Sequence, residues 1–560
     1  MHADPETAER IRAARTREGE EHGAYEVAAP TVGDVLDLRA TKFHYKTFLV
    51  FHEADGTRTE FTYAGLRSRM ERAATLLAEE FGVTKGDRVA TLMGNHPDTV
   101  LFYLGTMVLG ATVVPIHKEE SEDRIRWILE DAGAKVVVAE SDVAEKAIAC
   151  AGTRPVLRTG PKGAGPGFAV GTICDDGPIM LPGDPVDGDD PALLVFTSGT
   201  TGVPKGVLLS QYNLLADARA IAEWHGIGEK DRMMCVLPIH HVNGTVVTLL
   251  APLYAGASTV LNRKFSSTGF WKRLADEKVA VVSVVPTLLH FLLEKGEDPR
   301  AHDLSAFRHF ICGAGPLTVE LASRFEERFG FPIVHGYGLS ETTCYSCFLP
   351  ADLAAAEHRS WMREFGFPSI GAAVPPNEMA IHDGEGRALG EGERGEIVIR
   401  GHNVMLGYWK NPEANASTFA HGWFRSGDEG FWRRGADGRP YFFITGRIKE
   451  LIARGGVKFA PLEIDEVLNR IPGVRRGVAV GFENDAYGEE VGAVVQLEDG
   501  AAVTEAEILR HCEALPFSKR PKVVRFSADL PFTATGKIQR APLRPLFAEY
   551  RSVQFREGAR

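Results

Sequence analysis

Apolar positions along the chain follow a helical period and a strand period in regular turn. After position 60, Leu66, Met70, Ala73, Ala74, Leu77 and Phe81 fall on one helical face, with Gly82 placed to cap the end. Val89-Ala90-Thr91-Leu92 then reads as a strand, 96–109 as a helix and 111–116 as a strand. Ser121 is placed to cap a helix ending near Gly133, and Val136-Val137-Val138 reads as strand again. This β-α-β-α-β order predicts a parallel sheet with helices on its faces. Residues 160–191, rich in Gly, Pro and Asp, predict a surface loop, and the α/β alternation resumes over 262–333. Between about 371 and 445 the runs become short, β-type and broken by glycines, as in Gly395-Glu396-Ile397-Val398-Ile399-Arg400-Gly401. That texture predicts a small barrel or twisted sheet. A charged connector, Arg447-Ile448-Lys449-Glu450, then opens a compact α+β stretch that ends near 549. The fold class expected is α/β: a large multi-lobed N-terminal part with parallel sheets and a β-barrel-like lobe, then a smaller α+β part.

Composition narrows this picture. A chain of 560 residues is too long for one core. Its formal net charge of −12 argues against a nucleic-acid partner held by charge. The charged start MHADPETAERIRAARTREGEEH has no apolar core of a secretory signal, and the end REGAR is no peroxisomal tripeptide, so a cytoplasmic location is expected. Two stretches, 99–116 and 233–262, lack charge but are interrupted by Gly, Thr, His or Pro. They predict buried core helices with flanking strands rather than membrane spans. The 7 scattered cysteines fit a reducing compartment, and Cys344 and Cys347 read as two small apolar residues.

Chemistry-bearing residues are densest in Phe196-Thr197-Ser198-Gly199-Thr200-Thr201-Gly202-Val203-Pro204-Lys205-Gly206. This segment follows an apolar run, Leu193-Leu194-Val195-Phe196, that reads as a buried strand ending in a loop. Glycines let backbone N–H groups turn inward, hydroxyls add donors, and Lys205 supplies a mobile positive charge. Such a loop is suited to grip a polyphosphate. The P-loop pattern GxxxxGK[ST] cannot be laid over it, and Pro204 forbids a helix running straight through. Further segments follow: Cys312-Gly313-Ala314-Gly315-Pro316, then Gly336-Tyr337-Gly338-Leu339-Ser340-Glu341-Thr342. After them come Trp423-Phe424-Arg425-Ser426-Gly427-Asp428-Glu429-Gly430, Thr445-Gly446-Arg447-Ile448-Lys449-Glu450 and Pro531-Phe532-Thr533-Ala534-Thr535-Gly536-Lys537-Ile538-Gln539-Arg540.

Residues 197–206 resemble the signature loop of the adenylate-forming superfamily, which holds acyl-CoA synthetases, adenylation domains of nonribosomal peptide synthetases and beetle luciferases. The later segments resemble that family's other motifs in the family's order, and the likeness spans about 60 to 545. It implies an N-terminal domain over 1–445 and a mobile C-terminal lid over 446–560 that turns at Lys449. The implied ATP contacts are Thr197, Ser198, Gly199, Thr200, Thr201 and Lys205 in the loop, and Gly313, Ala314 and Gly315 along adenine and the acyl group. Gly336, Tyr337, Gly338, Ser340 and Glu341 follow; in the family the tyrosine stacks on adenine, the hydroxyl binds the α-phosphate and the glutamate ligates Mg²⁺. Ser340 replaces the usual Thr and keeps its hydroxyl. Asp428 takes the place of the ribose-binding aspartate, and Arg447 that of an arginine reaching ribose or phosphate. Gly455 and Gly456 fall where the family lines its CoA tunnel, and Lys537 where a lysine contacts carboxylate and α-phosphate. Lys537, Glu341, Thr197 and His241 are thus the catalytic candidates, with ATP, Mg²⁺ and coenzyme A as implied cofactors.

Leu237-Pro238-Ile239-His240-His241-Val242-Asn243-Gly244 falls where the family carries a gate beside the acid. His241 is the gate candidate and His240 a packing residue. Amino-acid-activating relatives place an aspartate just after the gate, where this chain has Val242, so an α-amino acid is disfavoured. Val242, Asn243, Gly244, Ala314, Leu339 and Cys344, with His241, predict a mostly apolar pocket for an aliphatic or aromatic monocarboxylate. His335 stands where Gln or Asn is usual. The expected activity is an acid–CoA ligase. A stand-alone adenylation enzyme loading a carrier protein, a luciferase-like oxygenase and a nucleotide-binding protein without turnover stay open as alternatives.

Overall fold

The computed structural model describes residues 4–160, 168–169, 179–181, 184–197, 204–532 and 538–555. Ser198, Gly199, Thr200, Thr201 and Lys537 lie outside them. Among the described residues, strand Arg88–Leu92 pairs in parallel with Thr112–Ile116 on one side and Val136–Glu140 on the other. These strands are apolar on both faces because helices cover both, the usual condition of a parallel sheet. Helix Tyr63–Phe81 starts at a Thr62 cap and stops at Gly82, whose left-handed backbone suits glycine. Helix Glu122–Ala132 runs from the Ser121 cap to Gly133 in the same manner. His96 is a cap rather than part of a helix: its Nδ1 accepts from the Asp98 N–H, and Pro97 opens helix Pro97–Val108.

The same sheet carries the signature segment. Strand Pro191–Thr197 runs parallel to Thr112–Ile116, and Lys205–Ser210 returns antiparallel with Lys205 opposite Thr197. The two strands therefore pair up to Thr197 and Lys205, and no helix follows Pro204, in line with its exclusion of one. One correction falls nearby: 160–191 is not wholly loop, because Phe168–Ala169 adds a strand parallel to Val156–Thr159.

A nine-stranded sheet forms the second layer. Its centre is parallel and runs Thr47–His52, Ser258–Asn262, Arg232–Cys235, Val281–Val284, His309–Cys312, Ile333–Tyr337. The uncharged stretch 233–262 supplies two of these strands and the buried π-helix Asn243–Leu250 between them. No helix among the described residues is long and apolar enough to cross a membrane. The barrel-like lobe is an antiparallel sheet of Asn377–His382, Gly395–Gly401, Phe424–Arg434 and Pro440–Arg447. A last sheet, built on the long hairpin Val474–Asn484 and Gly488–Leu497, has its own apolar cluster around Ile464, Leu468, Val491 and Val495.

Charged groups stitch the layers. Glu140, at the end of its strand, receives Arg263 in a bidentate pair of 2.5 and 2.9 Å, with Lys118 at 3.2 Å. Glu466, on the C-terminal helix Pro461–Leu468, accepts from the Val319 N–H at 3.0 Å at the start of helix Val319–Phe329. Burial pushes the Glu466 carboxyl up to about 7, against the pull of the Val319 bond and Arg470, while Asp465 and Glu320 add to the rise.

Two outcomes follow from these contacts. Arg263→Met leaves Glu140 short of its main partner and should cost about 2–3 kcal/mol, read as a lower urea midpoint; an unchanged midpoint would show the pair to be inert. The raised Glu466 carboxyl means that the docked form holds its proton more firmly than an undocked one. Its contribution to docking is then full at low pH and is lost as pH rises toward about 7. Limited proteolysis of the connector across that range should quicken with pH in the native chain and show a flatter pH response in Glu466→Gln.

Candidate active site

Ligands of open α/β sheets sit at the carboxyl ends of the parallel strands. Here His309–Cys312 leads into Gly313-Ala314-Gly315 and Ile333–Tyr337 into Gly338, while the neighbouring strand Val281–Val284 leads into helix Pro286–Lys295. At that edge the Tyr337 hydroxyl donates to Asp428 Oδ2 at 2.6 Å, and Arg447 Nε stands 2.7 Å from Oδ1. Asp428 and Arg447 are cross-strand partners at the tip of the barrel-like lobe, so register alone aims both at Tyr337. The carboxylate is only 1% exposed. Asp428 raises the Arg447 pKa, while burial opposes it, and Tyr337 is held neutral by burial beside the same charge.

A second group lies alongside. Glu341, on the short turn Ser340–Thr342, accepts from the Tyr408 hydroxyl at 2.8 Å. The Lys205 ammonium stands 4.7 Å from the Tyr408 ring centre, a cation–π distance. Burial lowers the Lys205 pKa, Glu341 raises it, and Lys449 lowers it further. Lys205, Glu341 and Lys449 thus share one space, with Thr197 opposite Lys205. Lys449 itself is exposed, just past the end of strand Pro440–Arg447. Glu341 Oε2 makes no hydrogen bond among the described residues. A carboxylate oxygen of this kind fits Mg²⁺, which fills its other positions from phosphates and water.

Small residues at this edge are explained by the chain's own packing. A Cβ on Gly313 would lie 2.5 Å from the Tyr345 hydroxyl, and Gly336 and Gly338 are equally hemmed in by Phe348 and by the Cys344 carbonyl. Gly315 has more room, with Pro286 at 3.5 Å. Ala314 and Thr343 both adopt left-handed backbone, at φ 62° each. A β-branched residue there carries strain of roughly 1–3 kcal/mol, a cost found mostly at functional sites.

The acid end begins at His241, half-buried and packed at a tilt of 48° against His240 with ring centres 4.1 Å apart; His240 in turn meets His117 at 4.5 Å. His240 is buried and kept neutral by that burial, as a packing residue would be. Val242 caps the π-helix and Asn243 and Gly244 open it; Leu339 is half-buried and Cys344 buried. His335 is a core histidine, its Nδ1 3.0 Å from the Ser369 carbonyl and its pKa lowered by burial to about 4. Gly455 and Gly456 form the exposed turn between Ile452–Arg454 and Val457–Phe459, both at positive φ, which accounts for two glycines in a row.

Three residues at the site escape the sequence pattern. Tyr408 lies far along the chain in a two-residue strand beside Lys205–Ser210. Tyr345 and Ser283 hydrogen-bond with Asn243, so the predicted apolar lining has a polar member at its base. Only the placing of Tyr345 a few residues after Glu341 could have drawn notice to it.

Comparison with known proteins gives concordant matches. A family model described as AMP-binding enzyme matches residues 36–409, and one described as AMP-binding enzyme C-terminal domain matches 463–537. Sulfoacetate–CoA ligase of Cupriavidus necator is 36% identical over 522 residues, 92% of this chain and 97% of that protein. Oxalate–CoA ligase of Arabidopsis thaliana is 33% identical over 527 residues, 93% of this chain and 99% of that protein. ATP-bound MatB from Rhodopseudomonas palustris superposes with a TM-score of 0.82 at 28% identity, covering 93% of this chain and 100% of that one.

Proposed function

The chain belongs to the family of AMP-binding enzymes, and on that premise we propose that it is an AMP-forming acid–CoA ligase acting in two half-reactions. In the first, a carboxylate oxygen attacks the α-phosphorus of ATP, the bond to pyrophosphate breaks, and an acyl-adenylate forms. In the second, the CoA thiol attacks the acyl carbon, loses its proton, and AMP departs with the electron pair of the broken acyl–oxygen bond. The observation that carries this reading is the buried Asp428 carboxylate shared by Tyr337 and Arg447, with Lys205 and Glu341 beside it. The CoA-ligase names of the relatives and the ATP in the MatB structure support it.

Two anions must meet in the first step, so positive charge and donors are needed at the phosphates. Thr197, Ser198, Gly199, Thr200, Thr201 and Lys205 would hold the β- and γ-phosphates at the hairpin. Gly313, Ala314 and Gly315 would lie along adenine, with Gly336, Tyr337 and Gly338 at its face and Ser340 on the α-phosphate. Asp428 and Arg447 would take the ribose, whose hydroxyls suit an ionised acceptor. Mg²⁺, held by Glu341, would supply charge neutralisation at the phosphates. His241 would gate the acid, with Val242, Asn243, Gly244, Leu339 and Cys344 around it. Lys537 would steady the charge that grows in adenylation. The C-terminal segment 446–560 would then turn at Lys449 against the domain 1–445, withdraw Lys537 and bring Gly455 and Gly456 to the thiol's path. The proposed location is the cytoplasm.

The test is AMP and pyrophosphate release from Mg·ATP with a panel of acids, with and without CoA. Sustained release only with CoA is expected; release capped at one turnover whether or not CoA is present would point to another acceptor. Lys537→Ala should slow adenylate formation roughly 10²–10³-fold. It should leave thioester formation from supplied acyl-adenylate near normal, and equal loss of both half-reactions would contradict the turning lid.

A further inference from the structure

A buried side-chain triad lies at the start of the π-helix that follows His241. Asn243, the first residue of the π-helix, donates to the Tyr345 hydroxyl at 3.2 Å and accepts from the Ser283 hydroxyl at 2.8 Å. All three are buried, Tyr345 to 1% exposure. The Tyr345 backbone is pinned on both sides: its N–H donates to Asp217 Oδ2 at 3.2 Å, and its carbonyl accepts from Asn403 at 2.9 Å. Its ring packs on Phe348 with centres 4.3 Å apart, and its hydroxyl stands against Gly313, leaving no room there even for a methyl group. A side chain fixed at so many points does not swing away cheaply.

Length and chemistry are both constrained by this arrangement. The Tyr345 hydroxyl and ring edge would lie 2.5 and 2.8 Å from a Cβ on Gly313, so they take up room beside the Gly313-Ala314-Gly315 turn that the alkyl chain or aromatic ring of a carboxylate placed there would need. Asn243 carries two amide hydrogens and gives one to Tyr345, and among the described residues the other has no acceptor. A buried N–H without a partner is costly, and a substrate oxygen removes that cost. The titratable neighbours acting on Tyr345 are the thiols of Cys344 and Cys312, both kept protonated by burial, so neither competes for that oxygen as an ion.

We infer that the acid is short and ends in an oxygen acceptor received by Asn243, with Tyr345 setting the limit on length. This inference rests on the ligase reading and narrows it: a long alkyl or aryl monocarboxylate is excluded. The acceptor oxygen is common to hydroxy acids and to acids with a second anionic end, and the two are separated by test.

The experiment measures binding of acyl-sulfamoyl adenosines, non-reacting mimics of the acyl-adenylate, by calorimetry on the full chain, alongside kcat/KM for the matching acids. Glycolyl and 3-hydroxypropionyl forms represent the neutral acceptor, malonyl and sulfoacetyl forms the anionic one, and butyryl, octanoyl and benzoyl forms the controls. One of the oxygen-bearing sets should bind roughly tenfold to a hundredfold more tightly than butyryl, and octanoyl and benzoyl should bind worst. Tyr345→Ala should gain affinity and turnover for butyryl, octanoyl or benzoyl, a gain that misfolding cannot produce. Asn243→Leu should erase the preference for oxygen over its alkyl counterpart. Octanoyl or benzoyl as the tightest ligand, or an unchanged length profile in a folded Tyr345→Ala protein, would overturn the inference and leave the ligase reading intact. Failure of every analogue to bind would overturn the ligase reading and the inference with it.

Discussion

A negative charge taken out of water must be paired, and Asp428 is the place where this chain meets that demand. Its two oxygens draw in Tyr337, from the end of a parallel strand in the nine-stranded sheet, and Arg447, from the last residue of the barrel-like lobe before the connector. One carboxylate therefore fixes the large sheet, the barrel-like lobe and the start of the C-terminal segment relative to one another. Removing either partner would leave a buried charge short of compensation, which ordinarily costs more than an exposed pair ever contributes. A ribose entering here would offer hydroxyls to a carboxylate already aimed.

The rest of the edge is equally constrained. Ala314 and Thr343 hold left-handed backbone that their side chains resist, and the Thr343 hydroxyl secures its turn by donating to the Asn403 carbonyl at 2.7 Å. Asn403 also reaches Asp217 and the Tyr345 carbonyl, so one buried amide joins the turn after Glu341 to helix Gln211–Trp224. Burial raises the Asp217 carboxyl to about 7, a price the fold carries to hold the Tyr345 and Asn403 donors in place. Strain and buried polar groups concentrated at one edge are what a preorganised site requires, since donors fixed in advance need no rearrangement as charge develops.

Much of this was legible in the sequence because local chemistry decided it. Gly82 and Gly133 end their helices in left-handed conformation where the pattern placed caps, and Pro204 excluded a helix just where strand Lys205–Ser210 begins. Strand Phe168–Ala169 was not legible, because it lies in a Gly-rich stretch and pairs only at a sheet edge. The stretch 233–262 read as a buried helix with flanking strands, but the π form and bounds of Asn243–Leu250 were hidden: buried on every side, it has no polar face from which to read a period. At the site, Tyr337, Glu341, Asp428 and Arg447 stood out as motif residues, whereas Tyr408, Ser283 and Tyr345 reach it through sheet pairing and packing that no short window of sequence contains.

In the proposed reaction a carboxylate is joined to AMP at this edge before the thiol is acylated. The most direct measurement follows the oxygens: the acid is labelled with oxygen-18 in its carboxylate and turned over with Mg·ATP and CoA, and the products are weighed by mass spectrometry. Attack on the α-phosphorus places a labelled oxygen in AMP and none in pyrophosphate, with the thioester keeping the other. Unlabelled AMP, or label in phosphate or pyrophosphate, would mean that the acid is activated by another route.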